Sequence, residues 1–110
     1  MNRTLILVFL TTALCVAPSF GGPILGTVTE GGRAIAEGTE AVVECSGEKK
    51  TVKTDKFGAY RVTMEKTGIC TFTLTYRGQM PAASITSLSG PVSADFDLQS
   101  QSGKYKLVRR

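Results

Sequence analysis

The chain is 110 residues long, with 13 Lys and Arg against 9 Asp and Glu and no His. That length suits one small domain and excludes two, and the lack of His removes Ser-His-Asp and Cys-His catalysis along with the side chain that titrates nearest neutral pH. The positive charge is mild and scattered from Lys49 to Arg110 without interleaved aromatics, so a solvated strand face, not a nucleic-acid footprint, accounts for it.

The first element is a targeting segment. Between Met1 and Gly21 the only charged side chain is Arg3, an apolar and hydroxyl run of 14 residues covers Thr4 to Ala17, and Pro18-Ser19-Phe20-Gly21 follows. The run is shorter than the roughly 20 residues a membrane-spanning helix needs. Its order of charge, apolar stretch and small-residue exit is that of a secretory signal. Residues 1–21 are therefore expected to be removed, with cleavage after Gly21 preferred to cleavage after Ala17. Residues 22–110 then remain as one domain, secreted or periplasmic, with no stable membrane span. Lipidation of Cys15 is disfavoured by the bulky Leu14 before it. Loss of Arg3 leaves 12 cations against 9 acids, a net +3.

Past Gly22 the chain reads as one short strand after another, each β-branched or aromatic with period-2 alternation and each bounded by Gly, Pro, Ser or Asp. Strands are expected near Ile24–Thr29, Ala41–Ser46, Lys50–Thr54, Ala59–Glu65, Cys70–Arg77, Val92–Leu98 and Lys104–Arg109. A further extended piece is expected near Ala82–Thr86. No segment has useful helical periodicity. About seven short strands in this length make an all-β fold, a small antiparallel β-sandwich.

The turns agree with this. Gly31-Gly32, Thr67-Gly68 and Ser102-Gly103 supply residues that accept positive φ at reversals. Asp55-Lys56-Phe57-Gly58 has Asp first and Gly fourth, as a type I turn prefers. The Ser-rich stretch from Ser84 to Ser93, with Pro81 and Gly90-Pro91, is expected at an edge or in a loop.

Alternation also sorts the faces. Cys70, Phe72, Leu74 and Tyr76 share one side against Thr71, Thr73, Thr75 and Arg77, and Ala41, Val43 and Cys45 oppose Val42, Glu44 and Ser46. Tyr60, Val62 and Met64 form a third inward set. Cys45 and Cys70 thus both face the core, and in an exported protein such a pair is expected as a disulfide. Their α-carbons must then lie within about 7 Å.

The order Gly26-Thr27-Val28, a Gly-Gly turn, Ala41 with Val43, then Thr54-Asp55-Lys56-Phe57-Gly58-Ala59-Tyr60 resembles the carboxypeptidase regulatory-like domain, a transthyretin-like β-sandwich. The likeness covers Ile24 to Tyr76 and weakens beyond Gly78. It rests on Gly26, Val28, Thr54, Asp55, Gly58 and Tyr60. The resemblance implies a non-catalytic accessory or interaction module. Cys45 and Cys70 are not part of the family pattern.

Remaining motifs carry little chemistry. Tyr76-Arg77-Gly78-Gln79 resembles the Tyr-Arg-Gly-Ser ending of hydroxyisourate hydrolases, but that activity implies histidines the chain does not have. Asp95 and Asp97 project from one strand face, yet calcium takes about six to eight oxygens, and a solvated outer face explains them. Among the tyrosines only Tyr105 falls outside the core set, as a candidate platform for a sugar ring. No metal or cofactor is expected. The reading is an exported, non-catalytic module that binds a protein or carbohydrate at the cell envelope. The alternative is a structural subunit that self-associates or joins a surface assembly by pairing strand edges.

Overall fold

Ten strands follow one another in the computed structural model, which describes residues 21–110. They are β1 (Pro23–Glu30), β2 (Arg33–Ala34), β3 (Glu40–Cys45), β4 (Glu48–Lys53), β5 (Ala59–Thr63), β6 (Gly68–Leu74), β7 (Ala82–Ser87), β8 (Val92–Ser93), β9 (Phe96–Gln101) and β10 (Lys104–Arg109). The proposed leader, with Cys15 in it, lies outside the described residues apart from Gly21.

The strands form a sandwich. One sheet runs β4-β3-β6-β7, and the other is built around β1. The first half of β1 is flanked by β5, antiparallel with Pro23 opposite Thr63, and by β8. Its second half is flanked by β2 and by β9, and β9 continues to β10.

Side chains of both inner faces meet in one core. Ile24, Val28, Phe96 and Leu98 come from the β1 sheet, and Val43, Phe72, Leu74 and Ile85 from the other, all with at most 1 % exposure. The Phe72 ring lies 5.0 Å from that of Phe96 and 4.9 Å from that of Tyr60. Each such side chain adds about 1.5–3 kcal/mol by leaving water, which is why the alternation in the sequence holds its register.

Three expectations are corrected. The strand foreseen over Val92–Leu98 is two strands, because Ala94 and Asp95 leave the ladder between β8 and β9. Both pieces run parallel to β1, since the chain crosses from β7 in one sheet and enters the other alongside β1. Finally, β6 ends at Leu74, and Tyr76 is half-buried at the core's margin, paired with Gln79 across a tight turn.

The tight turns take the backbone form that the right-handed twist of hairpins favours, with two successive residues at positive φ. This holds at Gly31-Gly32 (61° and 81°) and Ser102-Gly103 (53° and 80°), as expected. It also holds at Ser46-Gly47 and Arg77-Gly78, where a non-glycine residue takes the first position.

Cys45 and Cys70 stand directly opposite each other on the adjacent strands β3 and β6. They form a disulfide with α-carbons 4.3 Å apart, both sulfurs in the core.

Candidate functional site

The six residues that carry the family resemblance converge on the junction of β1, β5 and the β4–β5 turn. Gly26 faces inward, and the Ala94 carbonyl sits directly over it, so that a Cβ there would come within 1.9 Å of the Ala94 oxygen. The same carbonyl accepts the Tyr60 hydroxyl. Glycine at 26 and tyrosine at 60 therefore share one task, which is to admit and hold the kink between β8 and β9. Burial raises the Tyr60 phenol far above its ordinary value, and the nearby Asp95 carboxylate adds to this, so the hydroxyl stays a donor.

The turn residues work similarly. Asp55 accepts the Phe57 and Ala59 N–H groups at 2.8 and 2.9 Å, and its own carbonyl accepts the Gly58 N–H at 3.0 Å. Gly58, at φ 74°, brings its carbonyl to the Val28 N–H. The buried Thr54 hydroxyl donates to the Ala36 carbonyl at 3.0 Å and accepts the Thr39 N–H at 3.1 Å. This turn carries the chain from the edge strand of one sheet to the edge strand of the other.

Between those two edges, β4 and β5, lies a groove of about 600 Å³. Leu25, Val52 and Tyr60 line it together with the charged Lys53, Arg61 and Asp95. Lys53 and Arg61 are exposed and make no ion pair among the described residues, where the one ion pair is Lys50 with Glu48.

Two more cations reach the same rim from the end of the chain. Arg109 donates to the Ser93 carbonyl and Arg110 to the Thr27 hydroxyl, each at 2.8 Å, and both Ser93 and Thr27 line the groove. Each acidic group at the rim has one oxygen engaged. One Asp55 oxygen holds the turn, and one Asp95 oxygen accepts the Thr27 N–H at 2.8 Å and its hydroxyl at 3.2 Å. The rim is thus cationic, with Lys53, Arg61, Arg109 and Arg110 against Asp55 and Asp95. Sequence reading missed this groove, because nothing local marks β4 and β5 as facing edges.

Other candidates lie elsewhere. Asp95 and Asp97 do share an outer face, but each accepts a hydrogen bond from a β1 threonine: Thr27 for Asp95 and Thr29, at 3.0 Å, for Asp97. Among the described residues no group of three or more His, Cys, Asp or Glu is placed to hold a metal ion.

Tyr105 lies outside the groove and packs edge-on against Tyr76, with ring centres 5.1 Å apart and planes at 85°. The Tyr76 hydroxyl donates to Glu30 at 2.7 Å, and this bond, with some desolvation, raises its phenol. Gln79 ties this corner together, accepting the Tyr105 N–H at 2.8 Å and donating to the Gly103 carbonyl at 2.9 Å. The Tyr76–Gln79 segment is thus a strand-end turn.

No known family model matches the chain, and no curated protein is similar to it in sequence. Solved structures are similar in fold. A DUF3823 family protein from Parabacteroides merdae is 11 % identical with a TM-score of 0.57, over 83 % of this chain and 47 % of its own. A DUF3823 family protein from Bacteroides ovatus is 15 % identical with a TM-score of 0.55, over 77 % of this chain and 53 % of its own. The Bacillus anthracis TIE protein is 13 % identical with a TM-score of 0.59, over 81 % of this chain and 17 % of its own. The chain thus spans about half of the first two and a sixth of the third. At these identities the likeness establishes the β-sandwich fold that the chain shares with them.

Proposed function

We propose that this protein is an exported, non-catalytic binding module of carboxypeptidase regulatory-like type, whose ligand seat is the groove between β4 and β5. The observation that carries the reading is the groove itself, where apolar Leu25 and Val52 line the same space as the exposed Lys53 and Arg61, which make no ion pair among the described residues. Such a seat suits an anionic segment of a protein or glycan at the cell envelope. The disulfide supports an oxidising compartment, periplasmic or extracellular. The joint packing of Gly26, Tyr60, Asp55 and Gly58 supports the family resemblance.

The test uses two anionic polymers, polygalacturonate and polyglutamate, with neutral dextran as control. Binding of at least one acidic polymer and not of dextran is expected. The Lys53→Glu, Arg61→Glu double variant should weaken it by at least about tenfold, the equivalent of roughly 1.4 kcal/mol. Equal binding by the variant, or binding to neither acid, would remove the groove from the proposal.

A further inference from the structure

Besides the two-residue β2 and β8, the sandwich has four strand edges, β4, β5, β7 and β10, and these are not treated alike. An exposed edge invites another strand, and natural sheets blunt it with charge or cover. On β4 the edge carries Lys49, Lys50 and Lys53, and on β10 it carries Lys104, Lys106 and Arg109.

The β5 edge is capped by side chains and turn bonds. The Ala59 N–H donates to Asp55, the Thr63 carbonyl accepts Lys50 Nζ at 2.6 Å, and the Glu48 carboxylate accepts the Glu65 and Lys66 N–H groups.

The fourth edge, β7, reads Ala-Ala-Ser-Ile-Thr-Ser and has no charge at all. The Leu74 N–H donates to the Pro81 carbonyl at 2.9 Å, which fixes the phase of the β6–β7 ladder. By alternation Ala83, Ile85 and Ser87 bond to β6, and Ala82, Ser84 and Thr86 turn their N–H and C=O groups to the open side. Among the described residues β7 pairs with β6 alone.

The apolar surface points to the same edge. The exposed large apolar side chains among the described residues are Phe57, Ile69, Met80 and Leu88. Met80 lies just before β7, Leu88 just after it, and Ile69 sits opposite Thr86 on the neighbouring strand. Met80 and Leu88 are 67 % and 55 % exposed. They are also equidistant in sequence from Ser84.

We infer that two copies of this protein pair through β7, antiparallel, about a two-fold axis at Ser84. In that register Ser84 faces the partner's Ser84, Ala82 faces the partner's Thr86, and Met80 faces the partner's Leu88. Each of these β7 pairs joins residues whose main-chain groups already point outward, so each exchanges two hydrogen bonds. A slip by two residues keeps the polarity but leaves Met80 and Leu88 unmatched. The two four-stranded sheets become one of eight, and the self-complementary patch is what a two-fold contact requires. The β4–β5 groove lies at the opposite edge of each copy, so a dimer carries two open grooves and gains avidity for a repetitive ligand. The dimer stands independently of the ligand assigned to the groove.

Sedimentation of the mature, oxidised protein tests it. A dimer is expected, and Ser84→Lys should convert it to monomer by setting two ammonium groups face to face. Ser84→Pro should do the same, since the N–H it deletes points away from β6 and the fold does not use it. Thr51→Pro, at the matching position on β4, should leave the dimer intact. Oxidised Ser84→Cys should form a covalent dimer, because facing α-carbons in a hydrogen-bonded pair are about 5.5 Å apart. A monomer at all concentrations, a dimer that survives both Ser84→Lys and Ser84→Pro, or no cross-link through Ser84→Cys would each overturn the inference.

Discussion

At the scale of single residues, the fold turns on places where a side chain must be absent or must hold one atom. Gly26 is the sharpest case, because the Ala94 carbonyl occupies the space of a Cβ, and backbone cannot swing aside as a flexible side chain can. Gly26→Ala is expected to cost at least about 2 kcal/mol. Tyr60→Phe keeps the ring in the core but leaves the Ala94 carbonyl without its hydroxyl partner, at about 1–3 kcal/mol. Urea melts of both variants check this, with Gly26→Ala the more destabilised. A neutral Gly26→Ala would mean that the β8–β9 kink does not press on β1. The motif was legible in the sequence, but its reason was not, since Ala94 is far from Gly26 along the chain.

At the scale of elements, the two sheets are fastened at the groove's far end by Glu48 of β4. Its carboxylate accepts the Glu65 N–H at 2.9 Å and the Lys66 N–H at 2.9 Å, and Lys50 stands 3.7 Å away. Desolvation, the largest influence, raises the Glu48 carboxyl, but the two N–H groups and Lys50 together outweigh it and hold it below its ordinary 4.5. A carboxyl lowered on folding stabilises the native state above its unfolded value and loses that contribution as pH falls through the folded one. Wild type should therefore melt above Glu48→Gln at neutral pH, and the gap should close as the pH drops below 4.5. A gap that is constant across this range would show that the clamp does not depend on charge.

At the scale of the whole molecule, the disulfide limits the unfolded chain more than it shapes the folded one. Cys45 and Cys70 are 25 residues apart, and closing a loop of that size stabilises a fold by about 3 kcal/mol in the chain-entropy view. Cys45→Ser should lower the melting temperature by more than about 10 °C in a domain of this size. Intact mass of the exported protein gives the complementary reading. The oxidised mass without the leader is expected. That mass distinguishes cleavage after Gly21, the preferred position, from cleavage after Ala17. A mass that includes Met1 to Ala17 would sink the export reading, and a reduced mass would sink the disulfide as a native bond.

The sequence by itself determined the class of fold and the facing of most strands, the inward facing of Cys45 and Cys70 included, whereas the tertiary structure set the two cysteines opposite each other on neighbouring strands. Class and facing follow from period-2 alternation and from local turn chemistry, which neighbouring residues encode. Alternation says which side of a strand is buried, but it is silent on which strand lies beside which. The split of Val92–Leu98, the parallel course of β8 and β9, the groove between β4 and β5 and the open edge at β7 all depend on that second question. Only the tertiary structure decided them, because an edge, a groove or a carbonyl over a glycine is a relation between segments that the chain brings together through folding.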